Sequence, residues 1–169
     1  MARPAPLFWC IGTAVSSSAF ESDTVTLLMS QPPLFHLAIP VTDLTRARGF
    51  YGGLLGCREG RSSDAWVDFD FYGHQVVAHL APEEAGHRQT SAVDGKAVPV
   101  RHFGVILDMA AWRSLAEKLG AAGVEFVIEP YVRFEGQPGE QATMFLLDPC
   151  GNALEFKAFA DMSRVFARE

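Results

Sequence analysis

The sequence predicts an α+β fold: paired βαβββ modules forming a cupped mixed sheet with helices outside. Three observations carry this. The order strand, helix, strand, strand, strand occurs twice along the chain. Similar stretches open the two copies, Phe35-His36-Leu37-Ala38 and Arg101-His102-Phe103-Gly104. Similar stretches also close them, Gly73-His74-Gln75-Val76-Val77 and Gly151-Asn152-Ala153-Leu154-Glu155. Two such curved sheets side by side make a cup, lined by the faces that the helices leave uncovered.

The first copy opens on Leu34 to Val41, where apolar residues alternate. His36 and Ala38 share one face, and Phe35, Leu37, Ile39 and Val41 the other. Thr42 or Asp43 can cap the helix that follows. Leu44, Ala47, Phe50, Tyr51, Leu54 and Leu55 recur at helical spacing, and Gly56 ends it. Cys57 to Gly60, Ala65 to Phe71 and His74 to Leu80 read as strands, with Tyr72-Gly73 as the last turn. The second copy opens on Arg101 to Asp108. A helix carries Trp112, Leu115, Ala116 and Leu119 on one stripe and ends between Gly120 and Gly123. Val124 to Ile128, Ala142 to Leu147 and Ala153 to Phe159 are the remaining strands.

The domain boundaries follow from this pattern. Residues 31–160 form one domain, made of modules 31–81 and 100–160 joined by a polar connector, 82–99. A short tail follows, 161–169. Residues 1–30 lack the pattern and are expected to be a disordered or artificial extension, with Met29 as an alternative start to Met1. The run Leu7 to Val15, followed by small residues, makes only a weak outline of a secretory signal.

Composition bounds the function. The chain has 169 residues, 49% apolar and 20% charged, enough for a real core. Its formal net charge of -6 and the lack of a Lys/Arg cluster argue against a nucleic-acid surface. Three cysteines, Cys10, Cys57 and Cys150, form no CxxC pair, which fits a reducing, cytoplasmic location. No stretch is long enough to span a membrane.

The chemistry gathers on the inner face. Leu154 and Phe156 take the helix side of the closing strand, so Glu155 points into the cup. There the carboxylate is either a solvated or ion-paired glutamate or a metal ligand. His36 and His102 occupy equivalent positions of the repeat and share its side. Two histidines and one carboxylate leave three positions open on an octahedral metal, an arrangement that suits Fe(II), with Mn(II) or Zn(II) as alternatives. His79 shares the inner phase with Gln75 and Val77, and His87 lies in the connector. Both are candidates for acid–base work. His74 falls on the outer phase and is expected to be structural. Trp66, Phe69, Phe71 and Phe134 could line the cup, although aromatics at strand spacing more often belong to a core.

Three stretches carry a resemblance: Phe35 to Leu44, Phe50-Tyr51-Gly52-Gly53-Leu54-Leu55-Gly56, and Asp148-Pro149-Cys150-Gly151-Asn152-Ala153-Leu154-Glu155-Phe156. From Leu34 to Phe159 the chain resembles the vicinal oxygen chelate superfamily, which includes glyoxalase I, fosfomycin-resistance proteins and type I extradiol dioxygenases. The resemblance implies metal ligation by His36, His102 and Glu155. Val77 stands where glyoxalase I carries a fourth ligand, which favours the extradiol pattern, nearest to predicted small extradiol dioxygenases. That reading implies a non-haem Fe(II) enzyme acting on a catechol-like molecule and dioxygen, with His79 or His87 moving protons and a homodimer as one arrangement. Two departures oppose it. Phe145 replaces the tyrosine of the well-studied ring cleavers, and the 133–140 loop lacks their second histidine, although Tyr131, Arg133 and Gln137 could orient a substrate there. The alternatives are a glyoxalase-like lyase or isomerase, a fosfomycin-type thiol transferase, or a metal-free small-molecule-binding protein.

Overall fold

A computed structural model describes residues 33–86, 89–93 and 95–168. The extension expected over 1–30 and the connector residue His87 lie outside the described residues. The first module is β1 (His36–Val41), α1 (Leu44–Ala47), β2 (Arg58–Ser62), β3 (Trp66–Phe71) and β4 (His74–Leu80). A hairpin follows, β5 (Thr90–Val93) and β6 (Lys96–Pro99). The second module is β7 (His102–Leu107), α2 (Met109–Ala121), β8 (Phe126–Arg133), β9 (Gln141–Leu147) and β10 (Ala153–Phe159). A single 3₁₀ turn, Met162–Arg164, follows.

The two four-stranded sheets have the same topology, β1-β4-β3-β2 and β7-β10-β9-β8. In each, the opening strand lies parallel to the closing strand and the other pairs are antiparallel. The registers also agree: His36 pairs with Gln75 and His102 with Ala153, so Ala38 meets Val77 as Gly104 meets Glu155. The repeat seen in the sequence is therefore a repeat in space, and Val77 is the structural counterpart of Glu155.

Asp43 rather than Thr42 caps the first helix, accepting from the Thr45 and Arg46 amides at 2.7 and 3.0 Å. The expected continuous helix is only one α turn. It widens into a π-helical stretch, Arg48–Leu54, in which the Leu55 amide reaches back to the Phe50 carbonyl. Three glycines, Gly49, Gly52 and Gly53, weaken the α geometry there. The stretch still buries Phe50 and Tyr51. In the second module Asp108 caps α2, which buries Trp112, Leu115 and Leu119.

One core joins the two modules. Tyr51 packs on Phe69, and Phe71 meets Phe103 and Phe156 with ring centroids 5.7 and 6.2 Å apart. Trp112 donates its indole N–H to the Phe156 carbonyl at 2.9 Å, fixing α2 to β10. Phe69 and Phe71 thus belong to this helix-side core and do not line the cup, Trp66 is half-buried, and Phe134 is exposed. Val77, Phe145 and Ala153 are buried but stand outside this core.

Two segments differ from the sequence expectation. The connector, expected as a polar crossing, contains the β5–β6 hairpin. Val93 pairs with Lys96 across it, and Gly95, just before β6, has φ +73°, a conformation suited to tight hairpin turns. β8 runs past Ile128 to Arg133. Pro130 hides it in the sequence, but β8 is an edge strand, and its pairing with β9 is irregular between Ile128 and Tyr131. Tyr131 and Arg133 are therefore strand residues, and the Tyr131 ring lies 4.2 Å beneath the Lys96 ammonium of the hairpin.

Candidate metal centre

β7 and β10 bring His102 and Glu155 together. Their close parallel pairing depends on Gly104: a Cβ at this position would collide with the Glu155 carbonyl oxygen. His102 Nε2 then faces Glu155 Oε2 at 3.2 Å. Each side chain is also fixed from behind. His102 donates from Nδ1 to the Pro99 carbonyl at 2.7 Å, which commits that nitrogen to carrying hydrogen. Thr143 donates its hydroxyl to Glu155 Oε1 at 2.7 Å. The carboxylate side chain is 15% exposed and the imidazole 30%, so both are sheltered yet reachable. Phe145 packs edge-on against the His102 ring, with centroids 5.1 Å apart.

This donor pair suits a divalent metal. Two donors about 2.1 Å from one ion and at right angles to each other stand about 3 Å apart. Histidine ligands whose second nitrogen is held by a carbonyl are the usual pattern in metal sites. The third expected ligand is not alongside. Among the described residues, no three His, Cys, Asp or Glu side chains are grouped so as to hold a metal ion. His102 opens on a hollow of about 390 Å³ with Ala38, Glu84 and Asn152. His36 opens on a separate one of about 550 Å³ with Arg58, Asp70 and His74.

His36 nonetheless has its own polar shell. Its Nδ1 lies 2.7 Å from Gln75 Oε1, and Gln75 Nε2 donates to Asp68 Oδ2 at 3.1 Å. Asp68 is 7% exposed, and Arg61 Nε approaches the same oxygen at 3.6 Å. Sequence reasoning passed over Asp68, Gln75 and Thr143. A signal was present: all three are polar residues at inner-face positions, between core-facing apolar neighbours or beside one. His79 lies exposed at the end of β4, opposite Pro40 and Trp66. His74 accepts from the Phe35 amide at 3.2 Å, the structural role expected of it.

The turn before β10 does different work. Asp148, 4% exposed, accepts from the Cys150 and Asn152 amides at 2.8 Å, from the Asn152 side chain at 2.8 Å and from Tyr51 Oη at 2.9 Å. Asn152 also donates to the Pro40 carbonyl at 2.9 Å. Burial, reinforced by the Asp148 carboxylate, pushes the Tyr51 phenol well above its ordinary range. Cys150 is buried and accepts from the Thr42 hydroxyl at 3.4 Å. Asp148 and Asn152 thus clasp the modules and set the start of the strand that carries Glu155.

Fold and site together define a protein of two βαβββ modules with a histidine–carboxylate pair on the inner face of the second. Comparison with known proteins agrees. Residues 34–156 match the Glyoxalase/Bleomycin resistance protein/Dioxygenase superfamily. A glyoxalase/bleomycin resistance protein/dioxygenase from Alicyclobacillus acidocaldarius is 36% identical, covering 79% of this chain and 96% of that one, with a TM-score of 0.66. Two more distant structures share the fold. A fosfomycin resistance protein from Listeria monocytogenes is 18% identical, with coverages of 76% and 93% and a TM-score of 0.58. A lactoylglutathione lyase from Agrobacterium tumefaciens is 17% identical, with coverages of 76% and 95% and a TM-score of 0.55. None of the curated proteins matches the chain. The chain belongs to the Glyoxalase/Bleomycin resistance protein/Dioxygenase superfamily. Among its described residues, no helix is long and apolar enough to cross a membrane.

Proposed function

We propose that this protein is a divalent-metal-dependent enzyme acting on a small molecule that chelates the metal through neighbouring oxygens. The observation that carries this reading is the His102–Glu155 pair, 3.2 Å apart and anchored from behind on both sides. His102 and Glu155 supply two ligands and His36 the third. The bound metal would act as a Lewis acid on the chelated oxygens and, as Fe(II), would also take dioxygen at an open position. Phe145 and Val77 give the inner face an apolar, water-excluding floor.

In this reading a second copy of the chain supplies His36. β1 and β7 are edge strands, and exposed apolar residues lie at their starts, Leu34 (71%), Phe35 (59%) and Val100 (54%). Mixing two inactive variants tests this. His36→Ala and His102→Ala combined would restore up to half of the metal sites if the ligands come from different copies. No restoration would sink the dimeric arrangement.

An extradiol dioxygenase acting on a catechol is the first reaction to assay, because the two-histidine, one-carboxylate set leaves room for substrate and dioxygen. Protein loaded anaerobically with Fe(II) should consume oxygen and form coloured products from a catechol panel. One observation favours a second reading, a metal-assisted lyase, isomerase or thiol transferase. Phe145, with no hydroxyl, packs on His102 where a ring cleaver would carry tyrosine. Metal-dependent activity on thiol adducts or epoxides without oxygen uptake would decide for it. Absence of any metal affinity would leave only a metal-free binding protein.

A further inference from the structure

We infer that Asp68 and Gln75 are positioning residues that set the tautomer of His36 and so leave its Nε2 with a bare lone pair. The inference rests on the reading of His36 as a metal ligand, but the relay can be measured without metal.

A carboxylate at Asp68 can only accept hydrogen bonds, and Arg61 Nε lies 3.6 Å from the same oxygen. The Gln75 atom facing Asp68 at 3.1 Å must therefore be the amide nitrogen. That turns the Gln75 carbonyl oxygen toward His36, 2.7 Å from Nδ1. A carbonyl oxygen cannot donate, so Nδ1 must carry hydrogen. In the neutral imidazole, Nε2 is then a bare lone pair. In the opposite tautomer, with hydrogen on Nε2, that nitrogen has no lone pair to offer and Nδ1 is turned to Gln75. The relay thus selects the form that a metal needs. The second module reaches the same end with one part, the Pro99 carbonyl on His102 Nδ1. Burial of Asp68 within the strand run Trp66–Phe71 also has a purpose in this account: a solvated side chain would not hold the amide in one orientation.

The test uses the full-length, metal-free chain labelled with ¹⁵N at histidine, above the pH range where imidazole is protonated. Long-range proton–nitrogen correlation spectra report the tautomer of each ring. Wild-type His36 should show the Nδ1-protonated pattern. Asp68→Asn keeps the size but adds a donor, which allows the Gln75 amide to turn over, so the Nε2-protonated form should appear. Adding Gln75→Glu to Asp68→Asn gives Nδ1–H a carboxylate acceptor directly and should restore the wild-type pattern. The His74 signals serve as the check that each variant is folded. Mn(II) titration should follow the tautomer, with affinity falling about 10–100-fold in Asp68→Asn and recovering in the double variant. A wild-type His36 protonated mainly on Nε2, or an unchanged spectrum in Asp68→Asn, overturns the relay. If the tautomers behave as stated but the wild-type protein takes up no metal, the relay stands and the metalloenzyme reading fails.

Discussion

Tyr51 and Asp148, one in each module, are joined by a buried hydrogen bond of 2.9 Å. The bond links a π-helical turn of the first module to the turn that launches β10 in the second. Tyr51→Phe removes the donor and leaves Asp148 Oδ2 with the Asn152 side chain alone. The expected loss is about 1–3 kcal/mol, read from urea unfolding. Asp148→Ala removes the acceptor of the Tyr51 hydroxyl and of two backbone amides, and leaves the Asn152 side chain with the Pro40 carbonyl alone. It should cost more than Tyr51→Phe, and equal losses would show that the backbone amides find other partners.

Alkaline pH should weaken the fold through two buried groups, Tyr51 and Cys57, and more weakly through Tyr72, which is 39% exposed. Loss of solvent raises the Cys57 thiol from 9.0 to about 11 and the Tyr72 phenol from 10.0 to about 12, and it also pushes the Tyr51 phenol upward. Each group keeps its proton in the folded chain after the unfolded chain has lost it. Their contribution is complete below the unfolded values and is lost as pH rises through the folded ones. The urea midpoint should therefore fall from about pH 9 upward, and Tyr51→Phe should make that fall shallower. Cys57 should also alkylate slowly at neutral pH, because the thiolate is the reactive form.

Gly104→Ala addresses the strand pairing under the site. The added Cβ meets the Glu155 carbonyl, which is backbone and cannot rotate away. β7 must move from β10, and His102 and Glu155 separate with it. We expect a loss on the order of 1–3 kcal/mol in stability together with weakened metal binding. The same change at the equivalent position of the first module already exists naturally, as Ala38, where Val77 offers no ligand to hold close.

The repeat made the fold legible. Matching phases at His36 and His102, and at Val77 and Glu155, hold residue for residue in the strand registers. The strands with clean alternation were found within a residue or two. Local chemistry hid the others: glycines turned the Arg48–Leu54 helix into a wider coil, and Pro130 concealed half of β8. At the site, phase showed that Glu155 and His102 share a face, and they do meet. Phase could not show which inner faces stand opposite each other, because that depends on how whole modules dock. His36 consequently lies in a different hollow from His102. The clasp made by Asp148 and Asn152 was not legible for a related reason: their partners Tyr51 and Pro40 are distant in sequence, and only the folded chain brings them near.

Thr143 gives the sharpest test of the half-site in the second module. Its hydroxyl holds Glu155 Oε1 at 2.7 Å while Oε2 faces His102. Thr143→Val keeps the shape and removes the donor. The Glu155 carboxylate then has one oxygen without that bond, on a side chain only 15% exposed, and can rotate away from His102. Stability should fall by about 1–2 kcal/mol. Metal affinity should fall by about 10–100-fold if Glu155 is a ligand, since outer hydrogen bonds orient ligating carboxylates. Thr143→Ser retains the hydroxyl and should keep most of the affinity while losing a little packing. Calorimetric titration with Mn(II) measures both variants. Equal affinity of Thr143→Val and wild type would remove Glu155 Oε1 anchoring from the account of the site.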